Sequence, residues 1–337
     1  MSVDEYDYAL PTHLIAQTPA EERDASRLMV ISRRLGTRTH RTFRDLPKFL
    51  RPGDVLVFND TRVLHARMHA RREGSGGRVE LLLLRPCGAG VWEAMARPAR
   101  RLVPGEQLRL DSGAVVSLID RYAGGTVKIA LPPEVEGDLE SHAKLPLPPY
   151  IRDYEGDPDR YQTVYARLDG SVAAPTAGLH FTPGLLETLR VMGVLIRYVT
   201  LHVGPGTFKP VQAQRLEDHV MHAEQYLVPE SLPGELRTIR EHGGRVIAVG
   251  TTSARSLEAI AGQPECAGRW CETDLYIRPG YEWRMIDGLI TNFHLPRSTL
   301  LMLVASLAGQ NDWRAAYEEA IQQQYRFYSF GDAMLLL

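Results

Sequence analysis

The sequence has almost no cysteine. Three in 337 residues, Cys87, Cys266 and Cys271, are too few and of the wrong parity for a disulfide framework, so the fold must rest on its apolar core. Cys266 and Cys271 bracket the residues AGRW with no second pair and no clustered histidine beside them. That excludes a structural zinc site and leaves them as two separate thiols. No apolar run reaches the roughly 18 residues of a membrane-spanning helix. The opening MSVDEYDYALP is acidic, without the basic start and apolar stretch of a signal peptide. The setting expected from these absences is soluble, reducing and cytoplasmic. Ligand signatures are missing too. There is no G-x-x-x-x-G-K-[ST], no G-x-G-x-x-G after the first strand and no G-x-S-x-G, which excludes a P-loop nucleotidase, a classical dinucleotide or methyltransferase site and a nucleophile elbow. Lysine is scarce as well, four residues among the 39 basic ones.

What is present is a 44% hydrophobic chain, long enough for one large domain or two ordinary ones. Its net charge of −2 argues against a nucleic-acid protein, but the charge is unevenly spread. Arg62 to Leu131 hold twelve Arg and Lys against six Asp and Glu, a local +6 that leaves −8 for all other residues. A solvated Arg-rich strand surface is the plainer account of this segment; contact with a phosphate backbone is the functional one.

The basic segment has its own texture. RVELLLLRP, GVWEAMARP, EQLRLD, AVVSLID and TVKIALP are short strand-like runs parted by Gly, Pro or Asp, at the spacing of a small antiparallel barrel or sandwich. Before them stands the apolar strand DVLVFNDTRV, and after them a Pro- and acid-rich connector, PPEVEGDLESHAKLPLPPYIRDYEGDPDRY. The period then changes. TPGLLETLRVMG reads as a helix, VLIRYVTLHV as a strand, RVIAVG with TTSARSLEAIAG as strand, turn and helix. Two more helices, RSTLLMLVASLAG and DWRAAYEEAIQQQYRF, lead to a last strand in YSFGDAMLLL. The expected fold is an α/β main domain, residues 1–61 and 151–337, carrying an inserted antiparallel β-barrel domain, residues 62–150.

Four segments combine Gly or Pro with Thr, Ser, His or Asn at strand ends or helix starts: AAPTAGLHFT, HVGPGTFKPV, GTTSARSLEA and TNFHLPRSTL. The carboxyl ends of strands in an open α/β sheet are where ligands bind, so convergence of the four would build a pocket. Taken singly, each is equally a tight turn or a cap; Thr252 or Ser253 capping a helix needs no ligand. His180, His202 and His294 each fall in one of these loops. No H-x-x-x-H or H-x-H pairing occurs among them, so no metal is expected.

Together these stretches resemble one family, the S-adenosylmethionine:tRNA ribosyltransferase-isomerases of queuosine biosynthesis. The resemblance is carried by YALPTHLIAQTPAEERDASRLMV, FNDTRVLHAR, APTAGLHFT, HVGPGTFKPV, MHAEQYLVPE, GTTSARSLEA, ITNFHLPRSTLLMLV and YRFYSFGDAML, in order from Tyr8 to Leu335. Thr18 departs from the family's pattern, where histidine is expected, and no role is carried to it.

The resemblance implies an α/β domain with an inserted β-barrel, and an enzyme that uses S-adenosylmethionine as ribosyl donor. The ribose would be transferred and isomerised onto the aminomethyl group of 7-aminomethyl-7-deazaguanine at the tRNA wobble position, giving epoxyqueuosine, adenine and methionine. S-adenosylmethionine is then a co-substrate, and no other cofactor is implied. The sulfonium polarises the ribose 5′ carbon, so a base there can remove a proton and expel adenine as the ring opens, before the tRNA amine adds. His180, His202 and Asp60 are the candidate bases, with His180 favoured because it precedes the helix start at Thr182, whose dipole would keep the imidazole neutral. Thr176, Gly178, Gly204, Gly206, Thr207, Lys209, Thr251, Thr252, Ser253, Arg255, Asn292 and His294 are the candidate substrate contacts, with Arg255 suited to a methionine carboxylate. Arg97, Arg100 and Arg101 are the candidate tRNA contacts. A methyltransferase acting on tRNA and a non-enzymatic tRNA-binding protein are the rival readings.

Overall fold

The computed structural model describes residues 1–152, 154–204 and 211–337. The chain forms two compact units, one made of Met1–Thr61, Pro148–Leu168 and Ala174–Leu337, the other of Arg62–Leu147 and Asp169–Ala173.

In the first unit the strand Val55–Asn59 is buried along its whole length, as expected of a parallel strand covered on both faces. It lies inside a nine-stranded mixed sheet, flanked in parallel by Leu195–Leu201 and Val246–Val249, the latter followed by Gly288–Asn292. Beyond these, Ala333–Leu336 runs antiparallel to Gly288–Asn292 and parallel to Arg27–Ser32, with Thr37–Thr42 at the edge. Glu224–Leu227 and Cys271–Thr273 close the other side. One core gathers against a face of this sheet, with Leu56, Phe58, Val249, Ile290, Phe181 and Leu185 among its members.

Register fixes where the loops emerge. Asn59 stands opposite Val199, Phe58 opposite Val249, and Val249 opposite Ile290. The four central parallel strands therefore end together, and the segments following them, at Asp60, His202, Gly250 and Phe293, leave from one rim of the sheet.

The helices follow their sequence signals. Pro183–Val191 is capped by Thr182, whose side chain accepts from the Leu185 N–H, and Thr299–Ala308 by Ser298 through the Leu301 N–H. Thr251–Gly262 differs: it starts from Gly250 at φ 90°, with no side-chain cap.

The second unit is a closed six-stranded antiparallel barrel, in the order Thr126–Ala130, Val91–Arg97, Arg78–Gly88, Arg67–Arg72, Gln107–Leu110, Val115–Arg121. Five strands match the apolar runs read from sequence. The sixth, RMHARR, hides behind its charge: only Met68 and Ala70 face the core, while His69 and Arg71 point outward. The Pro- and acid-rich stretch expected as a connector does not begin as one. Val135 in the helix Pro133–Gly137 joins the barrel core, and Glu136 accepts from the Trp92 indole N–H at 2.9 Å.

Cys266 and Cys271 are joined in a disulfide, not held as two thiols. The turn Pro264–Cys266 and Gly268, at φ 79°, fold the chain back into the strand Cys271–Thr273. The two Cα atoms come within 5.9 Å, inside the disulfide range. Cysteine usage thus no longer argues for a reducing setting. No helix among the described residues is long and apolar enough to cross a membrane.

Candidate active site

The rim of the central strands is stitched by buried polar side chains. Asn59 is the first. Its amide donates to Leu201 O at 3.0 Å and to Thr252 Oγ1 at 3.1 Å. Its Oδ1 accepts from the Thr61 and Leu201 N–H groups at 3.1 and 3.0 Å. One fully buried side chain thereby ties two strand ends to the start of the helix Thr251–Gly262. Asn59 is absent from the candidates expected from sequence, where its neighbour Asp60 stands. An amide directly after the apolar run VLVF was the available signal, since burial there demands saturation of both its donors and acceptors.

Asn292 does the same on the next strand. Its Oδ1 accepts from Thr176 Oγ1 at 2.8 Å, and its amide donates to Tyr328 O at 3.2 Å and to His180 Nε2 at 3.1 Å. These bonds fix the amide orientation, so His180 Nε2 is the acceptor and Nδ1–H donates to Ser26 Oγ at 2.7 Å. The ring also stacks on Phe43 at 4.9 Å. Both nitrogens of the favoured base are therefore engaged. Its pKa is lowered to about 3, first by burial and then by the neighbouring Arg23 charge. Burial is the main cause of this shift and disfavours the charged ring.

His294 is placed otherwise. It lines a small cavity of about 50 Å³ together with Thr176, Thr251, Thr252 and Asn292. Its Nε2 meets Thr291 Oγ1 at 2.7 Å, and burial lowers its pKa to about 3. Val203, from the start of HVGPGTFKPV, lines the same cavity, so the four loops do converge. The loop residues Gly206, Thr207 and Lys209 lie outside the described residues.

Leu300 borders this cavity and a larger one of about 350 Å³, which is also lined by Gly204 and Arg255. Arg255 is buried and its Nη1 donates to Glu224 Oε2. Unlike Asn59, Glu224 carries no such signal in the sequence: it opens the strand EQYL beside the polar Gln225, and only its burial in the fold sets it apart.

The remaining candidates stand apart from the two cavities. Ser253 Oγ turns back to Val249 O at 2.8 Å, which accounts for its hydroxyl without a ligand. Gly178 is required by packing: a Cβ there would meet Tyr165 Oη at 1.9 Å. Asp60, 2% exposed, accepts from Thr200 Oγ1 at 2.6 Å and pairs with Arg167 at 2.7 Å. His202 is half-buried; its Nδ1 meets Thr61 Oγ1 at 2.8 Å, and its ring stacks on Trp270 at 4.8 Å. In the barrel, Arg97, Arg100 and Arg101 line a cleft of about 920 Å³ with Arg121 and Tyr122. Among the described residues, no group of three or more His, Cys, Asp or Glu is arranged to hold a metal.

Known proteins share both the sequence and this architecture. A family model described as queuosine biosynthesis protein matches residues 3–336. A protein of Symbiobacterium thermophilum named S-adenosylmethionine:tRNA ribosyltransferase-isomerase is 49% identical, with all of both chains covered. One of the same name from Thermotoga maritima is 48% identical, again with full coverage of both. A crystal structure of S-adenosylmethionine tRNA ribosyltransferase from Thermotoga maritima matches 99% of this chain and 100% of its own, at 39% identity and a TM-score of 0.58. The α/β unit, the inserted barrel and the full-length match agree: the chain belongs to the queuosine biosynthesis protein family.

Proposed function

We propose that the chain is an S-adenosylmethionine:tRNA ribosyltransferase-isomerase. It moves the ribosyl group of S-adenosylmethionine onto the aminomethyl group of 7-aminomethyl-7-deazaguanine at the tRNA wobble position and isomerises it, giving epoxyqueuosine with release of adenine and methionine. The observation that carries this reading is the match at 48–49% identity over whole chains to proteins bearing that name.

The chemistry asks for three things. A base takes the proton at the ribose 5′ carbon, where the adjacent sulfonium stabilises the electron pair left behind. That pair drives ring opening and expels adenine, and the tRNA amine adds. Its addition restores an electron pair on the carbon next to sulfur, which closes on the aldehyde carbon freed by ring opening; the alkoxide so formed displaces methionine as a neutral thioether and leaves the epoxide. Of the three proposed bases, His202 has the best support: it is half-buried, while His180 and Asp60 are almost wholly enclosed. Thr176, Thr251, Thr252, Asn292 and His294 are proposed to contact the ribose from the smaller cavity. Arg97, Arg100 and Arg101 are proposed to meet tRNA phosphates.

The test is mass analysis of wobble nucleosides after incubating enzyme and S-adenosylmethionine with tRNA carrying 7-aminomethyl-7-deazaguanine. Epoxyqueuosine is expected. Gain of a methyl group alone, or no change, overturns the proposal.

A further inference from the structure

The larger cavity rests on a buried ion pair. Arg255 is 5% exposed. Its Nη1 donates to Glu224 Oε2 and its Nε to Leu275 O at 3.2 Å. Glu224 Oε1 in turn accepts from the Gly204 N–H at 2.9 Å. The remaining nitrogen, Nη2, is buried and has no hydrogen-bond partner among the described residues. A cationic donor enclosed without an acceptor is an unfavourable arrangement that a ligand carboxylate would relieve.

Other walls of the cavity differ in character. Leu300 and Leu303 offer apolar surface, and Asp218 adds a second carboxylate. Among its described lining residues, Asp218 and Glu224 are set against Arg255, a balance of one negative charge with the imidazoles left aside. S-adenosylmethionine carries one net positive charge: an ammonium and a sulfonium against one carboxylate. The volume of about 350 Å³ is that of a small-molecule site.

Resting on the reading that S-adenosylmethionine is the donor, we infer that this cavity seats the amino-acid end of that donor and keeps it as the methionine product. Arg255 Nη2 takes the α-carboxylate. The α-ammonium faces Asp218, and the thioether arm lies along Leu300 and Leu303. Because Leu300 borders both cavities, the arm points the ribose toward Thr176, Asn292 and His294. Glu224 is then a positioning residue, holding the guanidinium so that one nitrogen is left for the substrate.

Equilibrium binding tests this independently of turnover. The unmodified protein should bind decarboxylated S-adenosylmethionine about 10- to 100-fold more weakly than S-adenosylmethionine, as for loss of a charged hydrogen bond. Arg255→Gln should bring the two ligands within about threefold of each other. Since removal of Arg255 endangers folding, a second variant uses the mouth of the cavity. Val220 lines it and is 82% exposed, so Val220→Trp should fold normally, yet weaken binding of both L-methionine and S-adenosylmethionine at least tenfold. Equal affinity of the unmodified protein for the two donors overturns the inference, as does unchanged binding in Val220→Trp. Failure of the enzymatic reading looks different: epoxyqueuosine does not form at all, whatever the binding pattern.

Discussion

At the scale of single residues, burial decides what a histidine does. His180 and His294 both titrate at about 3 in the fold because burial disfavours the charged ring, against about 6.5 in an unfolded chain. The unfolded chain therefore takes up two protons that the folded one refuses. Stability is full above about pH 6.5 and falls as pH is lowered toward 3, by roughly 1.4 kcal/mol per group per pH unit. His219, also lowered by burial and by His222, acts in the same direction. Denaturant unfolding at pH 7 and pH 5 should differ by about 4 kcal/mol, and His294→Gln should remove about half of that difference. Equal stability at the two pH values would contradict the buried neutral state of both rings. Gly178 makes a steric argument of the same size. Tyr165 is fixed by edge contacts with Phe58 at 4.8 Å, so a methyl group 1.9 Å from its hydroxyl cannot be accommodated freely. Gly178→Ala should lower stability by about 1–3 kcal/mol, and Tyr165→Phe should restore part of it. A neutral Gly178→Ala would show that the ring moves aside and that the glycine has another purpose.

At the scale of elements, the rim of the sheet depends on one backbone conformation. Gly250 joins the strand Val246–Val249 to the helix Thr251–Gly262 at φ 90° and ψ 153°, a region that is essentially glycine's alone. A Cβ there meets nothing closer than 3.7 Å, so the cost of Gly250→Ala is conformational, not steric. The variant should lose about 1–3 kcal/mol of stability and bind S-adenosylmethionine more weakly, because Thr251 and Thr252 follow directly. Unaltered unfolding and binding would mean that the turn tolerates an L residue. This turn was legible in the sequence, since Gly between a β-branched run and TTSARS marks strand, turn and helix. So were the capped starts at Thr182 and Ser298, whose signals are local. The sixth barrel strand was not, because RMHARR buries only two small or flexible apolar side chains. Nor was the fate of His180: its partners, Ser26 and Asn292, are 154 and 112 residues away, and no local pattern announces a ring sealed by such distant groups. The Cys266–Cys271 bond was missed for the opposite reason. It is local, but it depends on a tight turn at Gly268 that composition alone does not fix.

At the scale of the whole molecule, charge is partitioned. The +6 of residues 62–131 falls within the barrel unit, which is left at +2 by the acidic residues of 132–147 and by Asp169, while the α/β unit, which holds the two cavities, carries −4. The barrel cleft concentrates this charge. Among the described residues, Arg97, Arg100, Arg101 and Arg121 form no ion pair with an acidic side chain, and Tyr122 beside them is 47% exposed. Four guanidiniums and a ring open to solvent suit phosphates and an unstacked base better than they suit a protein core. If the cleft meets tRNA, replacing Arg97, Arg100 and Arg101 together by Ala should weaken tRNA binding. It should also flatten the dependence of log K on log salt by roughly 0.7–0.9 for each phosphate no longer neutralised, about two to three in all. Tyr122→Ala should instead lower affinity with the salt slope nearly unchanged, because stacking releases no counterions. S-adenosylmethionine binding should be the same in all of these variants, since none of the four residues lines either cavity of the α/β unit. Unchanged tRNA affinity and slope in the triple variant would return the arginines to the role of a solvated surface. Equal loss of donor binding would trace the effect to damaged folding rather than to the missing guanidiniums.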